Sequence, residues 1–219
     1  HNDSFEHMVQ PKMVYISNPT EVGTIYSKAE LTALSATCHK YGLYLFLDGA
    51  RLGYGLAAPD NDLTLPEIAA LCDVFYIGGT KVGALFGEAV VIKNPELAQD
   101  FRYLIKQNGG MLAKGRLLGL QFDALFTDGL YQVISAHAIA MAEKLREAFT
   151  AKGYTYLAPN RTNQIFVIVP DAHLAKISEQ FEYSYDQRID ATHSCVRFCT
   201  GWATREENVD ALIRCVEKL

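Results

Sequence analysis

Lys81 lies inside a glycine-rich loop, Gly78-Gly-Thr-Lys-Val-Gly-Ala-Leu-Phe-Gly87, between the apolar runs Val74-Phe-Tyr-Ile77 and Ala89-Val-Val-Ile92. Both runs read as buried strands. The link between them is shorter than a parallel crossover requires, so the second strand is expected antiparallel to the first. The lysine then sits just beyond the carboxyl end of a buried strand, where open α/β sheets bind ligands. Glycines let the backbone approach a ligand closely, and Val82 and Leu85 are expected to desolvate the amine. A desolvated lysine is a usable nucleophile towards carbonyls, so Lys81 is expected to form a Schiff base. A solvated loop lysine is the other reading. The loop is not a phosphate-binding P-loop, because the Gly-Lys-Ser/Thr that such a cradle needs is missing.

Three more charged residues could act with it. Asp48 follows the run Leu43-Tyr-Leu-Phe-Leu47, and Arg51 comes three residues later. A carboxylate at the end of one parallel strand and a lysine at the end of the next suit pyridoxal phosphate. The lysine condenses with its aldehyde, and the carboxylate keeps its ring nitrogen protonated as an electron sink. Asp48 could equally be a turn or cap aspartate before glycine. Arg51 could grip a substrate carboxylate bidentately, or form a surface ion pair. Arg197 lies between apolar Val196 and Phe198. Simple alternation turns it to solvent, whereas on a buried face its charge must find a partner.

The elements that would position these groups follow from periodicity. Met13-Val-Tyr-Ile-Ser17 reads as a strand, followed by a loop over 18–24. Ser27-Lys-Ala-Glu30 is a capping box for a helix ending at Tyr41-Gly42, and Thr64-Leu-Pro-Glu67 opens another that runs to Cys72. The run 43–47 is uniformly apolar, which predicts burial on both faces. Strand, helix, strand, helix, strand with right-handed crossovers predicts a doubly wound α/β sheet. Its loops gather at one end and bring Asp48, Arg51 and Lys81 together. Residues 95–106 and 111–151 read as helical, separated by Gly109-Gly110, and Asp128-Gly129 interrupts the second region. That break predicts two units, a large domain over 1–130 and a small α+β domain over 131–219. The second is expected to hold strands at 164–169 and 195–199, a helix near 172–181, and a helix capped by Thr204 that runs to Leu219.

The 219 residues, 49% hydrophobic and 21% charged with a net charge of −5, describe an ordinary globular chain and argue against nucleic-acid or anionic-membrane binding. No apolar run is long enough to span a membrane. The opening His1-Asn-Asp-Ser-Phe-Glu-His7 has neither the basic nor the apolar region of a signal peptide. Cys38, Cys72, Cys195, Cys199 and Cys215 lack zinc spacing and read as reduced core thiols, predicting no metal and a cytoplasmic location.

Ser17-Asn-Pro-Thr-Glu-Val-Gly-Thr24, Leu47-Asp-Gly-Ala-Arg51, Gly79-Thr-Lys-Val-Gly-Ala-Leu-Phe-Gly87, Gly109-Gly-Met111 and Val196-Arg-Phe-Cys-Thr200 occur in an order that resembles the threonine aldolases. These are β-eliminating-lyase-type enzymes of the fold-type-I pyridoxal-phosphate class. The resemblance implies a three-layer fold, mostly parallel, with an antiparallel strand after the lysine loop. It implies Lys81 as the Schiff-base lysine, Asp48 as partner of the ring nitrogen, and Thr80 beside the cofactor. Arg51 and Arg197 match the residues that hold the amino-acid carboxylate. The implied reaction is retro-aldol cleavage of threonine or allo-threonine to glycine and an aldehyde, in a homodimer or homotetramer. β-Elimination, transamination, or an inactive aldolase-like protein are the alternatives. Two departures accompany the resemblance. The family's N-terminal part, with its phosphate-binding turn and a stacking aromatic ring, is expected to be missing before Met13. Leu112 also stands where many relatives have arginine, and Lys114 is expected to supply that charge to a cofactor. His137 and His193 read as core or surface histidines, leaving the proton acceptor unassigned.

Overall fold

The strand register explains how the first sheet sets out its chemistry. In the computed structural model, which describes residues 6–219, β1 (Met13–Ser17), β2 (Tyr44–Asp48) and β3 (Val74–Gly78) run parallel. β4 (Glu88–Ile92) pairs antiparallel with β3, as the short lysine link requires. Part of the opening stretch used in the leader argument, residues 1–5, lies outside the described residues. The helices α1 (Lys28–Lys40) and α3 (Leu65–Leu71) each begin at the capping box expected of them, with Ser27 and Thr64 as caps.

Among the described residues the sheet is not doubly wound. Its order is β1-β2-β3-β4, without reversal. Right-handed crossovers in unbroken order place successive helices on the same face, and α1 and α3 touch one another. Leu31 and Ile68 from these helices pack with Ile16, Leu47 and Phe75 of the strands in one core. On the opposite face the register sets Tyr15 beside Phe46, Phe46 beside Val74 and Tyr76 beside Val90, and the Phe46 and Tyr76 ring centroids lie 6.2 Å apart. Within β2 Leu45 and Leu47 are buried while Tyr44 and Phe46 are only half-buried, so the strand is not buried on both faces. The uniform run hid an alternation of aliphatic and aromatic side chains. Tyr15 and Phe46 cover one another by stacking, with centroids 5.3 Å apart.

The expected helix over 95–106 is two short ones, α4 (Pro95–Ala98) and α5 (Phe101–Gln107), because Asp100 adopts a left-handed φ of 57°. Residues 111–115 are not helical; α6 (Arg116–Phe126) and α7 (Leu130–Ala151) follow, separated at Asp128-Gly129. A short helix, α2 (Leu52–Ala57), went unread because Gly53 and Gly55 lower its helical propensity.

The second sheet is antiparallel, with β5 (Thr155–Tyr156), β6 (Gln164–Pro170), β8 (His193–Cys199) and β7 (Ser184–Arg188) in that spatial order. β5 is too short, and β7 too polar and exposed, to show in a hydrophobic pattern. The helices α8 (Asp171–Ile177) and α9 (Glu206–Glu217) contribute Leu174, Val209 and Leu212 to its core. Thr204 does not cap α9: its Oγ1 accepts from Gly201 N at 2.8 Å, and α9 starts beyond Arg205 without a side-chain cap. α7 serves both cores, with Tyr131, Ala138 and Ile139 in the first and Met141, Leu145 and Phe149 in the second. The division at 130/131 remains a proposal about chain organisation.

Two glycines allow the loops after β2 and β3 to meet. A Cβ on Gly49 would lie 1.9 Å from the carbonyl oxygen of Tyr76, and one on Gly78 would lie 2.3 Å from that of Ala50. The close approach is held by Gly78 N donating to Gly49 O at 2.8 Å. Backbone atoms cannot rotate aside, so Gly49→Ala is expected to destabilise the fold by about 3 kcal/mol. A urea midpoint within error of wild type would show that the loops can separate freely.

Candidate active site

The two abutting loops carry the reactive groups. At the end of β2, Asp48 Oδ1 accepts from Ala50 N at 2.9 Å and Oδ2 accepts from the Tyr15 hydroxyl. Burial works against the Asp48 carboxylate. The Tyr15 and Tyr76 hydroxyls, the Ala50 amide and the Lys81 charge outweigh it, so the pKa lies below the usual aspartate value. The same contact pushes the Tyr15 phenol up, chiefly because its hydrogen bond to Asp48 would be lost on ionisation. Asp48 is therefore a carboxylate held in its charged form.

After β3, Val82 N and Ala84 N both donate to Gly79 O, at 2.9 and 3.0 Å, which curls the chain tightly around Lys81. Gly79 N donates to Glu88 Oε2 at 2.6 Å and ties the turn to β4. Val82 is fully buried and anchors the turn from below. Lys81 and Thr80 are exposed. The expected desolvation by apolar neighbours is not found, since Val82 points into the core and Leu85, 86% exposed, points outwards.

Two buried tyrosines hold this turn in place. Tyr131 Oη donates to Gly78 O at 2.9 Å and accepts from Gly53 N at 3.1 Å. Tyr54 Oη donates to the carbonyl of Lys81 itself. Burial raises the pKa of both phenols, so they stay protonated as donors.

Lys81, Arg51 and Tyr54 line one side of a cleft of about 440 Å³, and Gln164, Arg197 and Trp202 line the other. The structure thus brings Arg51, Arg197 and Lys81 together, with Asp48 close enough to feel the lysine's charge. Arg51 Nη1 lies 3.6 Å from Glu21 Oε2. Arg197 Nη1 donates to Gln164 Oε1 at 3.3 Å, and its guanidinium lies 5.9 Å from the Phe166 ring centroid. Its Nε is buried without a hydrogen-bond partner, an orphaned donor of the kind that a bound anion satisfies.

The seam between the two units is polar. Asn160 Nδ2 donates to Val22 O and Thr162 Oγ1 to Gly23 O, each at 2.8 Å, and Gln164 Nε2 donates to Glu21 O at 3.3 Å. Loop 18–24 thereby ties the segment 160–164 to the first sheet's side of the molecule. A Cβ on Gly23, whose φ is 82°, would lie 2.8 Å from Thr162 Oγ1.

Thr80 and Lys114 are exposed and neither lines the cleft. His137 Nε2 contacts Thr204 O at 2.7 Å and His193 Nδ1 pairs with Asp190 at 3.0 Å, so both rings have structural partners. All five cysteines are free, but Cys199 is exposed and Cys215 half-buried, so only three are core thiols. No cluster of metal-ligating side chains is found among the described residues. Tyr54, Tyr131, Glu21 and Gln164 were not singled out in the sequence. A tyrosine in an apolar helix face reads as packing, and nothing local shows where its hydroxyl goes.

The chain is similar to several known proteins. The Beta-eliminating lyase family model matches residues 1–172. A low specificity L-threonine aldolase from a Pseudomonas species is 33% identical over 94% of this chain. A threonine aldolase from Leishmania major superposes with a TM-score of 0.95 at 46% identity, covering 97% of this chain. A Thermus thermophilus aspartate aminotransferase mutant shares the fold alone, at 14% identity with a TM-score of 0.68. The chain spans 59% of the Pseudomonas protein and 62% of the Leishmania chain.

Tyr15→Phe removes one donor from Asp48 and is expected to raise the aspartate's pKa back towards its ordinary value. Because that pKa is depressed in the fold, the wild type's extra stability should be present above about pH 4 and fade as pH falls through the lower folded value. Carboxyl-carbon NMR titration reads the shift directly. An unmoved Asp48 resonance would remove Tyr15 from the account.

Proposed function

The chain belongs to the Beta-eliminating lyase family, and on that premise we propose that it carries the pyridoxal-phosphate site of an aldolase cleaving threonine or allo-threonine to glycine and an aldehyde. One observation carries the reading: an exposed lysine amine and two guanidinium groups from opposite sides share one cleft beside an ionised aspartate. The donor set fits the cofactor. Lys81 offers an amine, Asp48 a carboxylate held charged, and Arg197 a buried unpaired N–H.

Pyridoxal phosphate, when bound, supplies an aldehyde for the lysine amine and a ring that takes up the electrons of the broken Cα–Cβ bond. Asp48, a carboxylate kept charged by its hydrogen bonds, would hold a proton on the ring nitrogen of the bound cofactor. Arg51 and Arg197 grip the substrate carboxylate from both walls and so fix the rotation of the bond to be broken, a positioning effect. Arg197 has the stronger claim, because its Nε has no other partner. Arg51 must exchange Glu21, whose carboxylate is largely exposed, for the substrate. Thr80 is assigned to the cofactor's surroundings with Lys81, as the aldolase pattern implies.

The same reading includes a homodimer or homotetramer. Leu85 N donates to Gln121 Oε1 at 2.6 Å, which joins the tip of the lysine loop to α6. Leu85, Leu117 and Leu120 leave that region with exposed apolar surface suited to a second copy. Lys114 lies in the turn before α6 and is assigned to a neighbouring subunit's cofactor. Retained cofactor affinity in Lys114→Ala would count against that role. No helix among the described residues is long and apolar enough to cross a membrane, and the free thiols accord with a reducing cytoplasm.

Borohydride reduction in the presence of pyridoxal phosphate, followed by peptide mapping, should label Lys81, and threonine should yield glycine and acetaldehyde. Label elsewhere, or none on the full-length protein, would end the cofactor reading. 2-Oxobutyrate with ammonia in place of glycine would move the reaction to β-elimination, and 2-oxo-3-hydroxybutyrate would move it to transamination. Arg197→Leu should retain the label and lose about a hundredfold in kcat/KM, in line with a charged contact of roughly 3 kcal/mol.

A further inference from the structure

Gln164 opens β6 and is fully buried, although its side chain is an amide. A buried amide needs partners, and each of its two ends has found one across a different boundary. Oε1 accepts from Arg197 Nη1 at 3.3 Å and from Cys199 Sγ at 3.8 Å. Nε2 donates to the carbonyl of Glu21 at 3.3 Å, and the carboxylate of that same Glu21 lies 3.6 Å from Arg51 Nη1. One side chain therefore connects a guanidinium on the small unit to the loop that steadies the other guanidinium on the large unit.

We propose that Gln164 is a positioning residue for the carboxylate grip, setting the orientation of Arg197 and its register against the loop that holds Arg51. The inference rests on the reading of both arginines as carboxylate binders. A guanidinium is planar, so few contacts define its orientation. The Phe166 ring supplies one and the Gln164 carbonyl a second, which leaves the Nε edge unspent. The neutrality of the amide matters as much as its geometry. A carboxylate at this position would pair with Arg197 and cancel the charge that an incoming anion needs. An apolar side chain of the same size would fill the space but leave the guanidinium and the Glu21 carbonyl without their shared partner.

The test compares glycine with glycinamide, which share an amine and differ at the carboxylate. Each is titrated calorimetrically at one pH into the full-length protein loaded with cofactor. Wild type should prefer glycine. Gln164→Met should reduce that preference about tenfold, corresponding to about 1.4 kcal/mol, and Gln164→Glu should reduce it further. Affinity for glycinamide should hardly change in either variant. A role in packing alone would weaken both ligands together and leave their ratio intact, and that result would overturn the inference. So would a preference retained in Gln164→Glu, the variant that keeps the side chain's shape should the methionine variant fail to fold. Failure of the underlying carboxylate reading looks different, because wild type itself would then fail to distinguish the two ligands.

Discussion

The hydroxyl of Tyr131, bonded at once to Gly53 N and Gly78 O, is the contact on which the rest of the site depends. It joins three segments distant in sequence: the start of α2, the end of β3 and the start of α7. Gly53 is glycine because a Cβ there would lie 2.8 Å from the Tyr131 ring and 2.5 Å from Ser135 Oγ. The helix carrying Arg51 at its entrance and the turn carrying Lys81 are thus located relative to one buried phenol. Tyr54, presented by α2, completes the arrangement by bonding the Lys81 carbonyl. A lysine side chain is flexible, but its backbone origin is held from two sides. Its amine sweeps a limited volume in front of the arginines.

Much of this was legible in the residues. The capping boxes at Ser27 and Thr64 mark helix starts by a reciprocal bond between neighbours, and such local chemistry survives in the structure unchanged. The antiparallel return of β4 followed from loop length alone. The convergence of Arg51 and Lys81 followed from the rule that parallel strands present their carboxyl ends together. Arg197 was left between two orientations, and only the pairing of β8 with β6 shows which groups surround it.

What stayed hidden has physical reasons. Tyr131 and Gln164 bond partners far away in sequence, and a hydroxyl or amide carries no sign of its distant acceptor. The exposed β7 lacks the apolar alternation by which strands announce themselves. The solvation of Lys81 was misjudged because Val82 and Leu85 were credited to the amine by adjacency. A turn around Gly83, with φ of 93°, sends one of them inwards and the other out. Nearness along the chain is a poor guide to environment wherever the backbone reverses.

The 22-residue helix shared by the two cores has a mechanical and a thermodynamic consequence. At roughly 1.5 Å per residue it is a spar of about 33 Å, and neither half of it is long enough to persist alone in water. Melting either core would remove the support that keeps that half of α7 helical, which couples the stability of the two cores through one helix. As a single stiff beam α7 fixes the spacing of the two cores along its axis, and the bonds from Asn160 and Thr162 to loop 18–24 tie them a second time.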